Sequence, residues 1–216
     1  TVSAVRYLYV RMQSQILKMN NVVIVDYGLG NIKSVIKAFE HVGASSVLSS
    51  DAKIIARASH LVLPGVGSFG SGIKELEDRD LINAIHNFVK TGNQLLGICL
   101  GMQMLFDWSE EYGIHNGIGL IPGIVVPITK QINGQNYRKV PSIGWKKIKS
   151  SIHTNNWNKT CLNDTDIGEY FYFVHSFMSI PKNSAHILAQ YDYKGLDITA
   201  SVQRDNITGL QFHPEK

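Results

Sequence analysis

Leu96-Gly97-Ile98-Cys99-Leu100-Gly101 joins an apolar strand, Gln94 to Ile98, to a helix expected from Leu100 to Phe106. A strand that turns this sharply into a helix makes a nucleophile elbow, the cysteine counterpart of the Gly-x-Ser-x-Gly turn. Such a turn pushes the side chain of Cys99 out above the sheet. Its crowding favours glycine two residues to either side, where Gly97 and Gly101 stand. The sulfur also lies at a helix N-terminus, whose positive end favours thiolate over thiol. A lone cysteine is more commonly a buried structural residue, but that fate asks for neither glycine nor for this strand–helix junction.

Outward from the elbow, strands and helices alternate. Val22 to Val25 is a β-branched run closed by Asp26-Tyr27-Gly28, and His60 to Leu63 is a second strand, ending in Pro64-Gly65-Val66-Gly67. Between them Ile32, Val35, Ile36, Phe39 and Val42 form one helical face, with Asn31 as its N-cap and Gly43 as its stop. A further helix begins at about Asp80, with Leu81, Ile82, Ile85, Phe88 and Val89 facing inward and Gly92 ending it. From Ile124 onward the chain breaks into short strand-like runs: 124–128, 145–148, 171–174, 187–190, 198–202 and 207–212. The expected class is α/β, a mostly parallel central sheet flanked by helices, with a hairpin-rich antiparallel second half.

The balance of 21 Lys+Arg against 17 Asp+Glu is mild and unclustered, so it carries no nucleic-acid footprint. No apolar run approaches the roughly 18 residues of a membrane span. The cysteines Cys99 and Cys161 make no disulfide framework and point to a reducing, cytoplasmic setting. The Asn-x-Ser/Thr triplets at Asn158, Asn163 and Asn206 then read as chance. Residues 1–20 are expected to be a leader outside the fold, which covers 21–216. The first eighteen residues carry Arg6, Arg11 and Lys18 with no acid, the composition of an upstream extension before Met19 or of an organelle-targeting segment.

A thiolate nucleophile needs a base, and the base needs an orienter. His213 ends an apolar run, Leu210-Gln211-Phe212, and Pro214 halts the strand beyond it. Glu215 follows two residues on, within reach of the imidazole. Acyl transfer also needs donors for an oxyanion. The N–H of Leu100 is one, and the Pro64–Gly67 loop, at the carboxyl edge of a neighbouring strand, offers another.

Taken in order, the motifs are Asp26-Tyr27-Gly28-x-Gly30-Asn31, Pro64-Gly65-Val66-Gly67-x-Phe69-Gly70, Gly97-Ile98-Cys99-Leu100-Gly101-Met102-Gln103, Gly144-Trp145, Phe171-Tyr172-Phe173-Val174-His175-Ser176 and Gln211-Phe212-His213-Pro214-Glu215-Lys216. The chain resembles the class I (triad) glutamine amidotransferases, a flavodoxin-like fold. Within that family it is most like the glutaminase subunits that serve histidine biosynthesis. The resemblance implies that Cys99 attacks the side-chain amide of L-glutamine, with His213 as base and Glu215 behind it. It implies Val66 and Leu100 as oxyanion donors, and Gly67, Gln103, Glu111, His175 and Ser176 as the seat of the glutamine head group. It implies no metal and no cofactor. Ammonia would pass to a (β/α)8-barrel synthase that makes imidazole glycerol phosphate and AICAR, docked through Asn31, Trp145 and Lys216. The family usually continues past His-Pro-Glu-Lys into a last helix, so the chain reads as truncated or as the front of a fused glutaminase–cyclase.

The family pattern departs in three places. Phe177 stands where a tyrosine is usual, and Ser142 replaces a histidine before Gly144-Trp145. Lys146 replaces a small polar residue, and a cation presented beside Trp145 would suit a paralogue feeding a different barrel, such as one that amidates surface-polysaccharide sugars. The other readings are a catalytically silent interaction subunit, against which the intact triad stands, and a dinucleotide-binding module. The last fails because Gly28-Leu29-Gly30 leads to Lys33 where a third glycine is required.

Overall fold

The computed structural model describes residues 22–132, 136–152, 154 and 156–216; the expected leader, 1–20, lies outside the described residues. The first half alternates as expected. Strands β1 (Val22–Val25), β2 (Ser46–Ser49), β3 (His60–Leu63) and β4 (Gln94–Ile98) are interleaved with helices α1 (Ile32–His41), α2 (Ala52–Ala56), α3 (Phe69–Asp78), α4 (Leu81–Lys90) and α5 (Leu100–Met104). Then come β5 (Phe106–Ser109), β6 (His115–Asn116), β7 (Ile121–Pro127), β8 (Gln131–Ile132), β9 (Asn136–Tyr137), β10 (Ser142–Lys147) and β11 (Lys149–Ser150). The chain closes with β12 (Tyr170–His175), β13 (Phe177–Pro181), β14 (Ile187–Asp192), β15 (Asp197–Arg204) and β16 (Ile207–Leu210).

The main sheet has the order β11-β14-β15-β16-β4-β3-β1-β2. From β16 to β2 every neighbour pairs parallel, and β15, β14 and β11 extend the sheet antiparallel. Strands β1, β3, β4 and β16 are buried on both faces. Val22 and Ile24 pack into one core with Leu96 and Ile98, while Val23, Val25 and Leu95 pack into the other. Continuous apolar runs are what a doubly covered parallel sheet requires. Because β3, β4 and β16 run parallel side by side, their carboxyl ends place the Pro64 loop, Cys99 and the Gln211–His213 run at one edge.

Helix α1 stops as the sequence indicates. Gly43, at φ 80°, donates to Glu40 O, and Ala44 donates to Phe39 O, which closes a Schellman motif. Asn31 occupies the N-cap position, but its side chain makes no capping bond. The expected helix 100–106 is shorter, ending at Met104. The carbonyls of Met104 and Leu105 are taken by the N–H groups of Ile118, Leu120 and Ile121, and Phe106 begins a strand. Helix α3 escapes sequence reading because its buried stripe, Phe69, Gly72, Ile73 and Leu76, contains a glycine. A Cβ on Gly72 would lie 2.6 Å from Met104 Sδ, so the apolar period is broken by a close packing contact.

Candidate active site

Cys99 sits between β4 and α5 with φ 53° and ψ −109°, a backbone conformation that L-residues avoid at a cost of about 1–3 kcal/mol. Neighbouring glycines make the turn possible. A Cβ on Gly101 would lie 1.8 Å from Leu63 O, and one on Gly97 would lie 2.9 Å from Gly101 O. The Cys99 N–H is tied to Leu210 O at 2.7 Å, which locks the elbow to the end of β16. Cys161 is buried elsewhere, and burial pushes its thiol up to about 12, so it stays protonated and inert.

His213 continues from β16 and bridges to Tyr172 of β12, its N–H donating to Tyr172 O at 3.0 Å. Its Nδ1 bonds Glu215 Oε1 at 2.7 Å, with both side chains almost entirely buried. Glu215 therefore holds the proton on Nδ1 and turns Nε2 toward the pocket. Nε2 is buried without a hydrogen-bond partner among the described residues, so Cys99 acts on it through proximity and not through a formed bond. Burial works against a charged His213. The nearby Cys99 sulfur and the bonded Glu215 carboxylate outweigh that and lift its pKa to about 10.

The expected oxyanion donors flank the sulfur: Val66, Leu100 and Cys99 line one pocket of about 320 Å3 with Gly67, Gln103, Glu111, His175, Ser176 and His213. Gly67 has φ 105°, and Gly65 admits no side chain because a Cβ there would meet Tyr27 Oη at 2.6 Å and Gly101 N at 2.8 Å. The buried Tyr27 hydroxyl donates to Pro64 O at 2.7 Å, pinning the loop that carries Val66. Burial first, and the neighbouring Cys99 second, hold that phenol well above its ordinary pKa, so it remains a donor.

The pocket wall gathers the residues expected to seat the head group. Glu111 Oε2 accepts from the Phe69 N–H at 2.5 Å at the start of α3, and burial raises its pKa against that bond and the charge of His115. The His175 imidazole, in contrast, has no free nitrogen for a substrate. Nδ1 meets Phe177 O at 2.7 Å and Nε2 meets Tyr191 Oη at 2.8 Å. A carbonyl only accepts, so Nδ1 carries the proton and Nε2 accepts from Tyr191. Tyr191 has then spent its proton, and the Ser142 hydroxyl, 3.0 Å away, donates to it. Any contact of His175 with substrate falls to its main chain.

A second buried chain reaches the sulfur. Gln103 Nε2 donates to Phe177 O at 3.2 Å and to Gln211 Oε1 at 2.9 Å, and Gln211 Nε2 lies 3.8 Å from Cys99 Sγ. Sequence reading assigned no role to Gln211, Tyr27 or Tyr191. The available signal for Gln211 was a large amide between Leu210 and Phe212 in a run that ends in the core, where an amide must find partners.

Among the expected docking residues, Trp145 is 50% exposed and Asn31 and Lys216 are exposed. Trp145 stacks edge-on with Tyr172 at 5.8 Å, two residue pairs along from Ile143 and Val174 and so on the same face. Asn31 is at the head of α1, directly after β1 and its turn. Lys146 does not share the face of Trp145. Strand alternation turns Ser142, Gly144 and Lys146 inward, and the Lys146 ammonium lies 5.2 Å from the centre of the Tyr193 ring. Among the described residues no group of His, Cys, Asp or Glu is placed to hold a metal, and no helix is long and apolar enough to cross a membrane.

The family model described as glutamine amidotransferase class-I matches residues 23–216. The imidazole glycerol phosphate synthase subunit HisH 1 of Legionella pneumophila (strain Lens) is 44% identical over 199 residues, 92% of this chain and 93% of its own length. The corresponding HisH subunit of Aquifex aeolicus is 39% identical over 198 residues, 90% of this chain and 88% of its own. Among solved structures, PurLQS from Thermotoga maritima superposes with a TM-score of 0.65 at 19% identity, covering 90% of this chain and 87% of that one. A chain titled as a glutamine amidotransferase gives 0.63 at 16% identity, covering 89% and 90%. At such identities these two structures speak to the α/β fold alone.

Proposed function

The chain belongs to the class-I glutamine amidotransferases and is a glutaminase; on that premise we propose that it works through the triad Cys99, His213 and Glu215 as the glutaminase subunit of an imidazole glycerol phosphate synthase. The observation that carries the mechanism is Cys99 at positive φ facing the His213–Glu215 pair within one pocket. The thiol proton resides on His213 Nε2, whose raised pKa keeps it there near neutral pH, and Sγ adds to the side-chain amide carbon of glutamine. Negative charge moves to the amide oxygen, where the N–H groups of Val66 and Leu100 receive it. The C–N bond breaks as His213 returns the proton to the departing nitrogen, giving ammonia and a glutamyl thioester. Water, deprotonated by His213, then attacks the thioester and releases glutamate and the thiol.

Glu111 presents a carboxylate for the glutamine ammonium group, while Gln103, Gly67 and the main chain of His175 and Ser176 hold the rest. Ammonia then passes to a (β/α)8-barrel partner in the cytoplasm, docked on the face of Trp145 with Asn31 and Lys216. The names of the Legionella and Aquifex relatives support histidine biosynthesis as the destination. The reading of a different barrel rested on two departures, Lys146 and Ser142, and the course of Lys146 toward Tyr193 weakens the first of them. In the complex with its synthase, Cys99→Ala is expected to abolish glutamine-dependent product formation while leaving the ammonium-dependent reaction intact. Glutamine hydrolysis by that variant at a rate near the native one would refute the mechanism.

A further inference from the structure

We propose that Gln211 is a further catalytic residue, whose side-chain amide donates a hydrogen bond to the Cys99 sulfur and holds it, as thiolate, toward the substrate carbon. The inference rests on the reading of Cys99 as nucleophile.

The amide orientation follows from its partners. Phe177 O can only accept, so the Gln103 atom 3.2 Å from it is the NH2 group. That same NH2 lies 2.9 Å from the Gln211 side chain, which must present its oxygen there. The Gln211 NH2 is thereby turned to the remaining neighbour, Cys99 Sγ, at 3.8 Å. A flipped Gln211 would set NH2 against NH2 and aim a carbonyl oxygen at a thiolate. Gln211 is fully buried, and its N–H is fixed to Ala200 O at 2.9 Å, so the side chain has little freedom to leave.

An amide at a fully buried position is costly to desolvate, and its flanking residues, Leu210 and Phe212, are apolar core. An aliphatic side chain of similar volume would pack there at less cost, so the amide is not needed for packing. What it contributes is a neutral donor on the sulfur, separate from His213. A bond to the charged form favours that form. When Sγ adds to the amide carbon, its charge passes to the substrate oxygen and the Gln211 bond weakens. Gln211 itself neither gives nor takes a proton. Because Gln103 also lines the pocket, one amide touches both the substrate seat and the residue that holds the nucleophile.

The test is the pH dependence of alkylation of Cys99 by iodoacetamide in the intact chain, with Cys99→Ala as blank. Gln211→Met, of similar volume, is expected to move the midpoint up by roughly one unit and slow alkylation near neutral pH about tenfold. Gln211→Glu should move it further in the same direction, since a carboxylate then faces the sulfur. A role confined to packing would lower activity or stability and leave the midpoint where it is; an unmoved midpoint in a folded Gln211→Met protein overturns the proposal. Should both variants fail to fold, the unmodified protein labelled with 15N decides. The Gln211 side-chain amide signals must shift on carboxamidomethylation of Cys99, and signals that do not move overturn the proposal equally. Alkylation needs no turnover, so glutamine hydrolysis by Cys99→Ala would sink the nucleophile assignment separately from this result.

Discussion

His175 makes the fold sensitive to acid, and the size of the effect follows from its surroundings. Its ring is buried, and both nitrogens are committed, Nδ1 as donor to Phe177 O and Nε2 as acceptor from Tyr191. A second proton would reverse the Tyr191 hydroxyl and place a cation in the core. Burial first lowers its pKa, against the help of the Phe177 carbonyl, and the charges of His213 and Lys146 lower it further, to about 4. The folded value lies below the ordinary 6.5, so the unfolded chain binds a proton that the folded chain refuses. Stability is complete above pH 6.5 and is lost as the pH falls toward 4. Between pH 7.5 and 4.5 the linkage amounts to about 2–3 kcal/mol. For a domain of this size that is a fall in Tm of roughly 5–10 °C.

His213 has the opposite sign. Its raised pKa gives a contribution that is complete below about 6.5 and fades as the pH rises through about 10; between pH 7.5 and 4.5 it adds roughly 1–2 kcal/mol in the opposite direction, and it cancels when the native chain is compared with a His175 variant. Urea unfolding of the native chain and of His175→Gln at both pH values isolates the term. The variant loses stability at pH 7.5 because hydrogen bonds are broken, but its further loss at pH 4.5 is smaller than the native one by about 2–3 kcal/mol. Parallel pH dependences for the two proteins would refute the assignment of a neutral, proton-refusing His175.

Gly101→Ala would drive a Cβ to within 1.8 Å of Leu63 O, a backbone atom that cannot step aside, and is expected to cost about 3 kcal/mol or more; a Tm within a few degrees of native would mean the elbow has room. Tyr27→Phe strips the Pro64 carbonyl of its buried donor, costing about 1–2 kcal/mol, and is expected to lower kcat with little change in KM by loosening the oxyanion loop. A native kcat would detach Tyr27 from that loop. Trp145→Ala, at a half-exposed position, is expected to leave folding stability within about 1 kcal/mol and to weaken binding to the barrel synthase at least about tenfold, and undiminished affinity in a titration would remove Trp145 from the interface.

The parallel half of the sheet was legible because its strands are buried on both faces and read as unbroken apolar runs, as Val22–Val25 and Gln94–Ile98 do. The elbow was legible because close backbone contacts left glycine as the only residue for 97 and 101. What sequence missed has specific causes. Strand β2 exposes Val47 and Leu48 at the sheet margin and lacks an inward pattern. Helix α2 has five residues and is held by Asp51 capping Lys53 and Ile54, a local bond without an apolar period. The His213–Glu215 pair of the proposed triad was legible because glutamate two residues after histidine is a local relation. Gln211 to Cys99, Tyr27 to Pro64 and Ser142 to Tyr191 are contacts across the sheet, spanning 112, 37 and 49 residues, and nothing local announces them.

Strand β10 shows what that costs an argument made from sequence. Position 146 follows Trp145, and adjacency suggested that its charge belongs to the same surface. Adjacent residues in a strand point to opposite faces, so β10 carries two separate sets. Ile143, Trp145 and Lys147 look outward, with Lys147 lying over Tyr170 at 5.3 Å, and form the proposed docking face. Ser142 and Lys146 look inward, against Tyr191 and Tyr193. Substitution at 142 or 146 therefore changes the support of the pocket and not the charge offered to a partner. The inner set leads on to the sulfur: Ser142 to Tyr191 to His175, which shares the Phe177 carbonyl with Gln103, and from Gln103 through Gln211 to Cys99. Every link is a hydrogen bond between buried or half-buried groups, where leaving a partner unmatched costs about 1–3 kcal/mol. The strand that carries the proposed docking residue Trp145 is thus connected, through its other face and a chain of hydrogen bonds, to the residue proposed to hold the Cys99 sulfur.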